Sequence, residues 1–215
     1  EKEVNSRRGL RWEMLKWAAN NMLIVSQPIT GPQEAQCLVA NIETGAWCKF
    51  TGWDTRCLAL FDDIGYFGTN DGVIYQMETS GSDDGENYTA TYVGGFDHCK
   101  SVGLEKNIKQ IRTTVRASTP FIDKPSISTD YNIEVPNPPN SVDNYIVDTW
   151  DVGEWDVALW DASAGTSLAS SSWRSIGRTG RAIAPQVQMT FGITPKPDVE
   201  LVNIDLTYEL GGLVV

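Results

Sequence analysis

Short apolar runs separated by turn residues dominate the hydrophobic pattern of the chain. Between Asn41 and Gly85, three runs rich in aromatic and β-branched residues are each bounded by a turn: Glu43-Thr44-Gly45, Asp62-Asp63 and Asn70-Asp71-Gly72. The pair Asp71-Gly72 lies between Tyr66–Thr69 and Val73–Met77. An Asp-Gly pair in that position favours a two-residue turn with positive φ at both central residues. The pattern therefore predicts an antiparallel β-meander.

Further strands are predicted on both sides of this meander. Residues 12–19 are compatible with two helical turns or an irregular strand, whereas strands are indicated at Met22–Val25, Cys37–Ile42, Trp47–Phe50, Cys57–Phe61 and Tyr88–Val93. Aligning Leu23–Val25 with Tyr66–Gly68 gives an offset of 43 residues. That offset is close to the roughly 40-residue, four-stranded repeat of β-propeller blades. We therefore assign residues 12–100 to about two blades of a partial β-propeller, and residues 1–11 to a connecting segment. Two blades alone would leave open edges, so the alternative is that these strands form a smaller sheet.

The pattern changes between residues 94 and 105, where we place a domain boundary. Beyond it, strands are predicted at Lys106–Arg116, Ile127–Val135, Trp173–Ile176, Ala182–Phe191 and Val199–Tyr208. In the first of these, Ile108, Ile111 and Val115 have helical spacing, but the β-branched Thr113-Thr114-Val115 run favours a strand. Alternation and Pro-rich turns predict a β-sandwich-like domain over residues 101–215. The chain is thus expected to be all-β.

Two clusters in this second half are candidate binding features. The first is basic, and we interpret it as a solvated face paired with nearby acids; it comprises Lys106, Lys109, Arg112 and Arg116. The second repeats Trp-Asp every five residues at Trp150, Trp155 and Trp160, a step that matches neither a strand nor a helix face. A loop that places three indoles on an underlying sheet fits this spacing. The alternative is a carbohydrate-binding platform, which burial of all three indoles would exclude.

Charge and composition limit the classes of partner that the chain is expected to bind. Its 215 residues have a net charge of −11, of which residues 1–56 contribute +1 and residues 57–215 contribute −12. The negative charge of residues 57–215 repels phosphates, as expected of a surface that DNA passes without binding. The alternative is that this negative charge only keeps the protein soluble. No run of 18 apolar residues occurs, so membrane insertion is not expected. The absence of an initiating Met favours a processed chain or a piece of a longer one.

Residues that commonly carry catalysis or bind metals are few. Four cysteines, none in C-x-x-C spacing, are interpreted as small buried hydrophobes in a reduced compartment, without zinc: Cys37, Cys48, Cys57 and Cys99. His98 is the only histidine, and there is no nucleophile elbow, GxGxxG or Walker motif. The segment Ser82–Asn87 lacks the alternation of a calcium loop and is interpreted as a hairpin tip. The sequence therefore predicts no enzyme, cofactor or metal site. A propeller hydrolase is a further hypothesis, which requires a pocket where carboxylates or Arg residues converge.

The order of several motifs resembles a known family. The pattern Asn41-x-x-Thr44-Gly45-Ala46-Trp47, Gly52-Trp53-Asp54, Tyr66-Phe67-Gly68-Thr69-x-Asp71-Gly72-x-x-Tyr75 and Asp83-Asp84-Gly85 is similar to the last blades of the hub or nozzle proteins in short-tailed bacteriophage tails. The later Trp150–Trp160 run and the closing segment Ile204–Gly212 also resemble that family. The resemblance covers roughly residues 12–215. Because family members are much longer, the chain is expected to correspond to their C-terminal part.

The resemblance implies a function that the residues alone do not. It implies a non-enzymatic virion protein that forms a homo-oligomeric ring around the DNA-ejection channel and is assembled in the cytoplasm of the bacterial host. Expected partners are the adaptor, the fibre or spike, and upstream propeller blades. Viral DNA would pass the acidic surface without sticking. The alternative function is recognition of host glycans through Trp150, Trp155 and Trp160, which loss of glycan binding in a Trp155→Ala variant would support.

Overall fold

The structure is a computed structural model that describes residues 7–28, 36–118, 122–140, 167–170, 172–192 and 198–213. These residues form fourteen strands in antiparallel sheets, and none of them is helical. The prediction of an all-β chain is therefore confirmed. The chain divides into two compact units between Thr79 and Ser80.

Two meanders make up the first unit. The four-stranded sheet A contains, in spatial and chain order, β1 (Glu13–Trp17), β2 (Met22–Ser26), β3 (Gln36–Asn41) and β4 (Trp47–Thr51). The three-stranded sheet B contains β5 (Thr55–Phe61), β6 (Ile64–Thr69) and β7 (Ile74–Gln76). The segment that could have been helical, residues 12–19, contains strand β1. Both sheets have the up-and-down order of propeller blades, and the number of blades stays a prediction.

The core of the first unit lies between the two sheets. It comprises buried side chains of both, namely Trp17, Ile24, Cys37, Val39, Phe67 and Met77. The indole Nε1 of Trp17 donates to the Asp63 carbonyl at 2.8 Å, so the buried ring also satisfies its polar atom. The Ser26 hydroxyl donates to the Thr55 carbonyl at 3.0 Å. Because hydrophobic and polar contacts join sheets A and B, they form one two-layer unit.

The turn at Asn70–Gly72 differs from the two-residue turn that the Asp-Gly pair predicts. Gly72 has a φ of +80°, but Asp71 does not have positive φ. The Gly72 amide donates to the Thr69 carbonyl at 3.2 Å, and the Thr69 amide donates to the Val73 carbonyl at 2.9 Å. This is a three-residue loop with glycine in its left-handed position. The primed two-residue turn instead occurs at Asp62-Asp63, where φ is +52° and +59°.

The second unit contains two sheets. Sheet C has the order β10 (Ile122–Thr129), β13 (Ile183–Phe191), β8 (Tyr88–Val93). Sheet D is built on β9 (Leu104–Ala117), which pairs on one side with β14 (Val199–Leu213) and on the other with β11 (Ser167–Ser170) and β12 (Arg174–Gly180). Side chains of the two sheets share hydrophobic clusters that contain Ile108, Ile111, Ile127, Ile183, Val115, Val187 and Met189. The sheets therefore pack face to face, as in a sandwich.

A β-bulge explains the helical spacing of apolar residues in β9. Gln110 pairs with Thr207 and Ile108 pairs with Tyr208, which leaves Lys109 as an extra residue. The bulge reverses the alternation of side chains. Ile108 and Ile111 consequently both face the core although they are three residues apart, and each is 0% exposed. The predicted strand is confirmed.

The boundary between the units falls earlier than the sequence pattern indicates. Strand β8 lies within residues 12–100, which the pattern assigns to the blades. Six consecutive residues of β8 pair with β13, so this strand completes sheet C of the second unit. The strand expected at Ile127–Val135 also ends early, because Asp130 and Tyr131 form a turn with φ of +53° and +62°.

Comparing two alanine variants tests the geometry of the Asn70–Gly72 turn. Gly72→Ala is expected to lower the free energy of unfolding by about 1–2 kcal/mol, because an L-residue is strained at positive φ. Asp71→Ala is expected to change it by less than about 0.5 kcal/mol. Urea unfolding followed by tryptophan fluorescence measures both. Equal losses in the two variants would indicate the two-residue turn instead.

Candidate functional site

The predicted ligand residues Trp150, Trp155 and Trp160 lie outside the described residues. The candidate carbohydrate platform therefore stays a prediction. The structure does place His98, the cysteines, the basic cluster and the segment Ser82–Asn87. In that segment Asp83 and Glu86 exchange backbone hydrogen bonds of 2.9 Å, the arrangement of a hairpin tip.

The only histidine joins three loops of the second unit. Its Nδ1 lies 3.3 Å from the Arg181 carbonyl and its Nε2 lies 3.2 Å from the Tyr131 hydroxyl. A carbonyl can only accept, so Nδ1 carries a proton and donates to Arg181, while Nε2 shares a hydrogen bond with the Tyr131 hydroxyl, which can donate or accept. The Tyr131 ring in turn packs on Phe96, with ring centroids 4.8 Å apart. With both nitrogens engaged in this way, His98 acts as a cross-link between loops.

Lys106 is the exception within the basic cluster. Its side chain is 0% exposed, and its ammonium donates to the carbonyls of Ser101 and Arg181, the second at 2.7 Å. Carbonyl acceptors offset part of the cost of burying a charge. Lys106 therefore holds the beginning of β9 against two loops and does not belong to a solvated face.

The other three basic residues form a ladder of ion pairs with β14. Arg116 pairs with Glu200 at 2.5 Å, Arg112 with Asp205 at 2.6 Å, and Lys109 with Glu209 at 3.1 Å. The guanidinium of Arg112 also lies 4.8 Å from the centre of the Trp173 ring, within the range of a cation–π contact. The interpretation of these residues as a face paired with acids is confirmed. A phosphate would have to displace a carboxylate to reach any of them.

Asp123 connects the two sheets of the second unit. This β10 carboxylate is 6% exposed and accepts hydrogen bonds from the Arg174 guanidinium, at 2.7 Å, and from the Thr113 hydroxyl. Arg174 and Thr113 belong to sheet D, whereas Asp123 belongs to sheet C. The carboxylate is thus a satisfied buried acceptor, and its arrangement is that of a structural contact.

Two hollows lie in the described parts of the chain. One, of about 290 Å³, is lined by residues that include Arg11, Glu13 and Arg56. Glu13 pairs with Arg11 at 2.6 Å and accepts from the Leu58 amide at 2.8 Å, so its carboxylate is occupied. The other, of about 390 Å³, is lined by prolines, aliphatic residues and the Glu134–Arg178 pair, whose charged atoms are 3.1 Å apart. Each hollow is lined by both a hydroxyl and a carboxylate, but the serine hydroxyls are engaged: Ser26 donates to the Thr55 carbonyl and Ser126 donates to the Gln186 side chain, each at 3.0 Å.

Metal-binding and membrane-spanning features are missing from the part of the chain that the structure describes. Within those ranges, no three His, Cys, Asp or Glu side chains form a group that could bind a metal ion. The same ranges contain no helix of the length and hydrophobicity that a bilayer crossing requires. All four cysteines are free, but the interpretation of them as buried is wrong for Cys48 and Cys57, which are exposed, and Cys99 is only half-buried. Burial raises the pKa of the Cys37 thiol, which disfavours the reactive thiolate.

The most conspicuous surface of the first unit is the outer face of sheet A. Alternation and strand register place ten side chains on this face: two rows of four across the strands, Met14, Val25, Leu38 and Lys49, then Lys16, Leu23, Ala40 and Trp47, and the pair Gln36 and Thr51. Six of the ten are apolar. Met14 is 70% exposed and Trp47 is 59% exposed. Sheet A is therefore apolar on both faces, and its outer face is partly open to solvent.

Sheet B has a similar outer face. The residues on it are Cys57, Ala59, Phe61, Ile64, Tyr66, Gly68, Ile74 and Gln76. Phe61 is 75% exposed and Ile74 is 74% exposed. Exposed apolar side chains that are contiguous on a sheet face mark interaction sites more often than scattered ones do.

Sequence reasoning did not identify these outer faces, although a signal for them was present. Met22–Val25 and Cys37–Ala40 are continuous apolar runs and do not alternate. Continuous runs are typical of strands that are buried on both faces. Runs of this kind therefore also indicate that a second apolar layer is required.

A charge-neutralising variant tests the ion-pair ladder. In the triple variant Glu200→Gln, Asp205→Asn and Glu209→Gln, three cations of β9 lose their partners and become available to phosphates. We expect this variant to bind duplex DNA more tightly than the wild type at low salt. The slope of log Kobs against log salt concentration is expected to be about −2.7 for three phosphate contacts.

The control for that experiment carries the same change in net charge elsewhere. Asp62→Asn, Asp63→Asn and Asp71→Asn remove three negative charges from turns that have no basic neighbour in the ladder. Fluorescence anisotropy with labelled DNA should show no gain for this control. An equal gain in both variants would mean that net charge alone, and not the ladder, prevents DNA binding.

The chain was also compared with known proteins. No family model matches the sequence, and neither the curated proteins nor the solved structures contain a significant match.

Proposed function

We propose that this chain is a structural, non-enzymatic protein of a bacteriophage virion tail, where it forms part of a hub or nozzle ring around the DNA-ejection channel. The proposal rests on the observation that sheet A is apolar on both faces. One face is covered by sheet B, and the other exposes Met14 and Trp47. Such a sheet is suited to a position inside a larger β-assembly.

The energetics favour covering the outer faces. Burying a large apolar side chain is worth about 1.5–3 kcal/mol relative to leaving it in water. Met14, Trp47, Phe61 and Ile74 are each more than half exposed. An isolated chain forgoes most of that stabilisation, whereas an assembly that covers both outer faces recovers it. Assembly is therefore the function that these surfaces support best.

The residues that resemble tail hub proteins build this part of the fold. The Asn41 side chain accepts from the amides of Glu43 and Thr44 at 3.0 and 2.9 Å, which fixes the β3–β4 turn. Trp53 stacks on Phe67 with centroids 4.9 Å apart, and Phe67 stacks on Tyr75 at 5.3 Å. The resemblance thus rests on residues with a definite structural role. It supports the specific assignment to a phage tail.

The net charge of the chain and the ion pairs of β9 support the proposal that DNA passes this protein without binding to it. The net charge is −11, and three of the four residues in the basic cluster are neutralised by β14. A surface of this kind offers DNA few counterion-release contacts. The proposed partners are further copies of the chain, the adaptor, the fibre or spike, and upstream blades. The proposed location is the virion tail, after assembly in the host cytoplasm and without membrane insertion.

Protein analysis of purified virions tests this function. Particles are isolated by density gradient from host cells infected with the phage that encodes the chain, and their proteins are quantified by mass spectrometry. We expect several copies of this chain per particle, since a ring requires them. The major capsid protein is the positive control and an abundant host cytoplasmic enzyme is the negative control. Recovery at the level of the host enzyme would refute the proposal.

A further inference from the structure

We propose that Asp84 is a site of spontaneous covalent modification, at which the folded chain converts aspartate into isoaspartate. Glycine follows aspartate twice in the sequence, at Asp71-Gly72 and at Asp84-Gly85. Glycine has no side chain to hinder the attack of its amide nitrogen on the preceding carboxyl group. Both pairs lie in exposed turns, but the two turns differ in how firmly they hold the reacting groups.

The reaction needs no enzyme, cofactor or oxidant. The Gly85 amide nitrogen attacks Cγ of the protonated Asp84 carboxyl group, so that an N–Cγ bond forms and a Cγ–O bond breaks. The carboxyl hydroxyl leaves as water after it takes up the amide proton. Water then opens the succinimide ring. Attack at Cγ restores aspartate, whereas attack at the α-carbonyl carbon leaves Gly85 joined to Cγ, which is isoaspartate.

The turn at Asp84-Gly85 leaves both reacting groups accessible. Within the described ranges, neither the Asp84 carboxylate nor the Gly85 amide has a hydrogen-bond or ion-pair partner. Both residues have positive φ, +51° and +87°, and the flanking Asp83 and Glu86 exchange backbone hydrogen bonds of 2.9 Å. This is a primed two-residue turn. Because the Asp83–Glu86 pair is an isolated bridge and not part of a strand ladder, few contacts oppose its opening.

The turn at Asp71-Gly72 holds the same two groups more firmly. The Gly72 amide donates to the Thr69 carbonyl at 3.2 Å, and it must give up that hydrogen bond before it attacks. The neighbouring Asn70 side chain donates to both carboxylate oxygens of Asp54, each at 2.9 Å. Isomerisation in this turn therefore requires contacts to break that the other turn does not have.

Isoaspartate changes the turn in which it forms. The main chain of residue 84 then passes through Cβ and Cγ, which lengthens it by one atom, and the former α-carbonyl becomes a carboxylate. The two-residue turn no longer places Asp83 opposite Glu86, so both of their backbone hydrogen bonds are expected to be lost. Modification therefore opens the hairpin tip between β7 and β8, and the modified fraction increases with the age of the folded chain.

Ageing of the purified full-length chain tests the proposal. The protein is kept folded in mildly acidic buffer made with heavy-oxygen water and is sampled over several weeks. Each passage through the succinimide introduces a solvent oxygen atom, which peptide mass spectrometry detects, and electron-transfer fragmentation distinguishes isoaspartate from aspartate. We expect Asp84 to react at least about tenfold faster than Asp71, a ratio that corresponds to about 1.4 kcal/mol in activation free energy.

Three controls separate the effect of the fold from that of the sequence. In denaturing urea the turns are lost, so the two Asp-Gly pairs should react at similar rates. The exposed-turn variant Asn70→Ala loses the contact with Asp54, so the rate at Asp71 should rise several-fold while the rate at Asp84 is unchanged. The variant Asp84→Glu keeps the charge but lacks the side-chain length that closes a succinimide, so it should show no oxygen uptake at residue 84.

Three outcomes would overturn the proposal. The first is an equal or faster reaction at Asp71 in the folded chain. The second is a folded chain in which neither site takes up heavy oxygen although the urea-unfolded chain does, because the turn would then protect Asp84. The third is a preference for Asp84 that persists in urea, because the neighbouring residues and not the turn would then set the rate.

Discussion

The first unit depends on one constraint, which is that the inner face of sheet A is buried against sheet B. The inner face of sheet A is satisfied within the chain, where Trp17, Ile24 and Val39 pack against Phe67 and Met77 of the neighbouring layer. Glycine at position 65 is part of this fit, because a Cβ there would lie 2.9 Å from the Trp17 ring. The outer face is equally apolar at its centre, and its Met14 and Trp47 are 70% and 59% exposed. The chain therefore encodes more hydrophobic sheet surface than its own first unit buries.

In the second unit, the sheet faces that lie away from the core between sheets C and D carry mainly polar and charged side chains. The outer face of sheet D carries the ion-pair ladder between β9 and β14, in which each cation is matched by a carboxylate. The other face of sheet C is polar but buried at its central strand, where Gln186, Gln188 and Thr190 are 0%, 3% and 7% exposed. There the Ser126 hydroxyl donates to the Gln186 side chain at 3.0 Å, and Thr89 and Thr190 share a hydrogen bond of 3.0 Å. The ion pairs on the outer face of sheet D can meet water, so that face does not need an additional apolar layer. Exposed pairs of this kind add little stability, at most about 1 kcal/mol each.

Much of the fold could be predicted because it follows from patterns of neighbouring residues in the sequence. Apolar runs and turn residues indicated most of the strands, and the number of nearby acids indicated that the basic residues of β9 would be paired. Non-local features were missed. Strand β8 could not be assigned to β13 from sequence, because partners about 100 residues apart leave no local signal. Lys106 was grouped with solvated cations because only the three-dimensional structure shows the carbonyls of Ser101 and Arg181 around it.

Hydroxyl-radical footprinting tests the central claim most directly, because it reports the solvent exposure of individual side chains in solution. The oxidation rates of Met14, Trp47 and Phe61 would be measured by mass spectrometry at low and high protein concentration. The account predicts that all three become protected as concentration rises, while Tyr131 and Trp173 of the second unit keep their rates. Unchanged rates for Met14, Trp47 and Phe61 in a chain that is demonstrably associated would contradict it, because assembly would then use other surfaces.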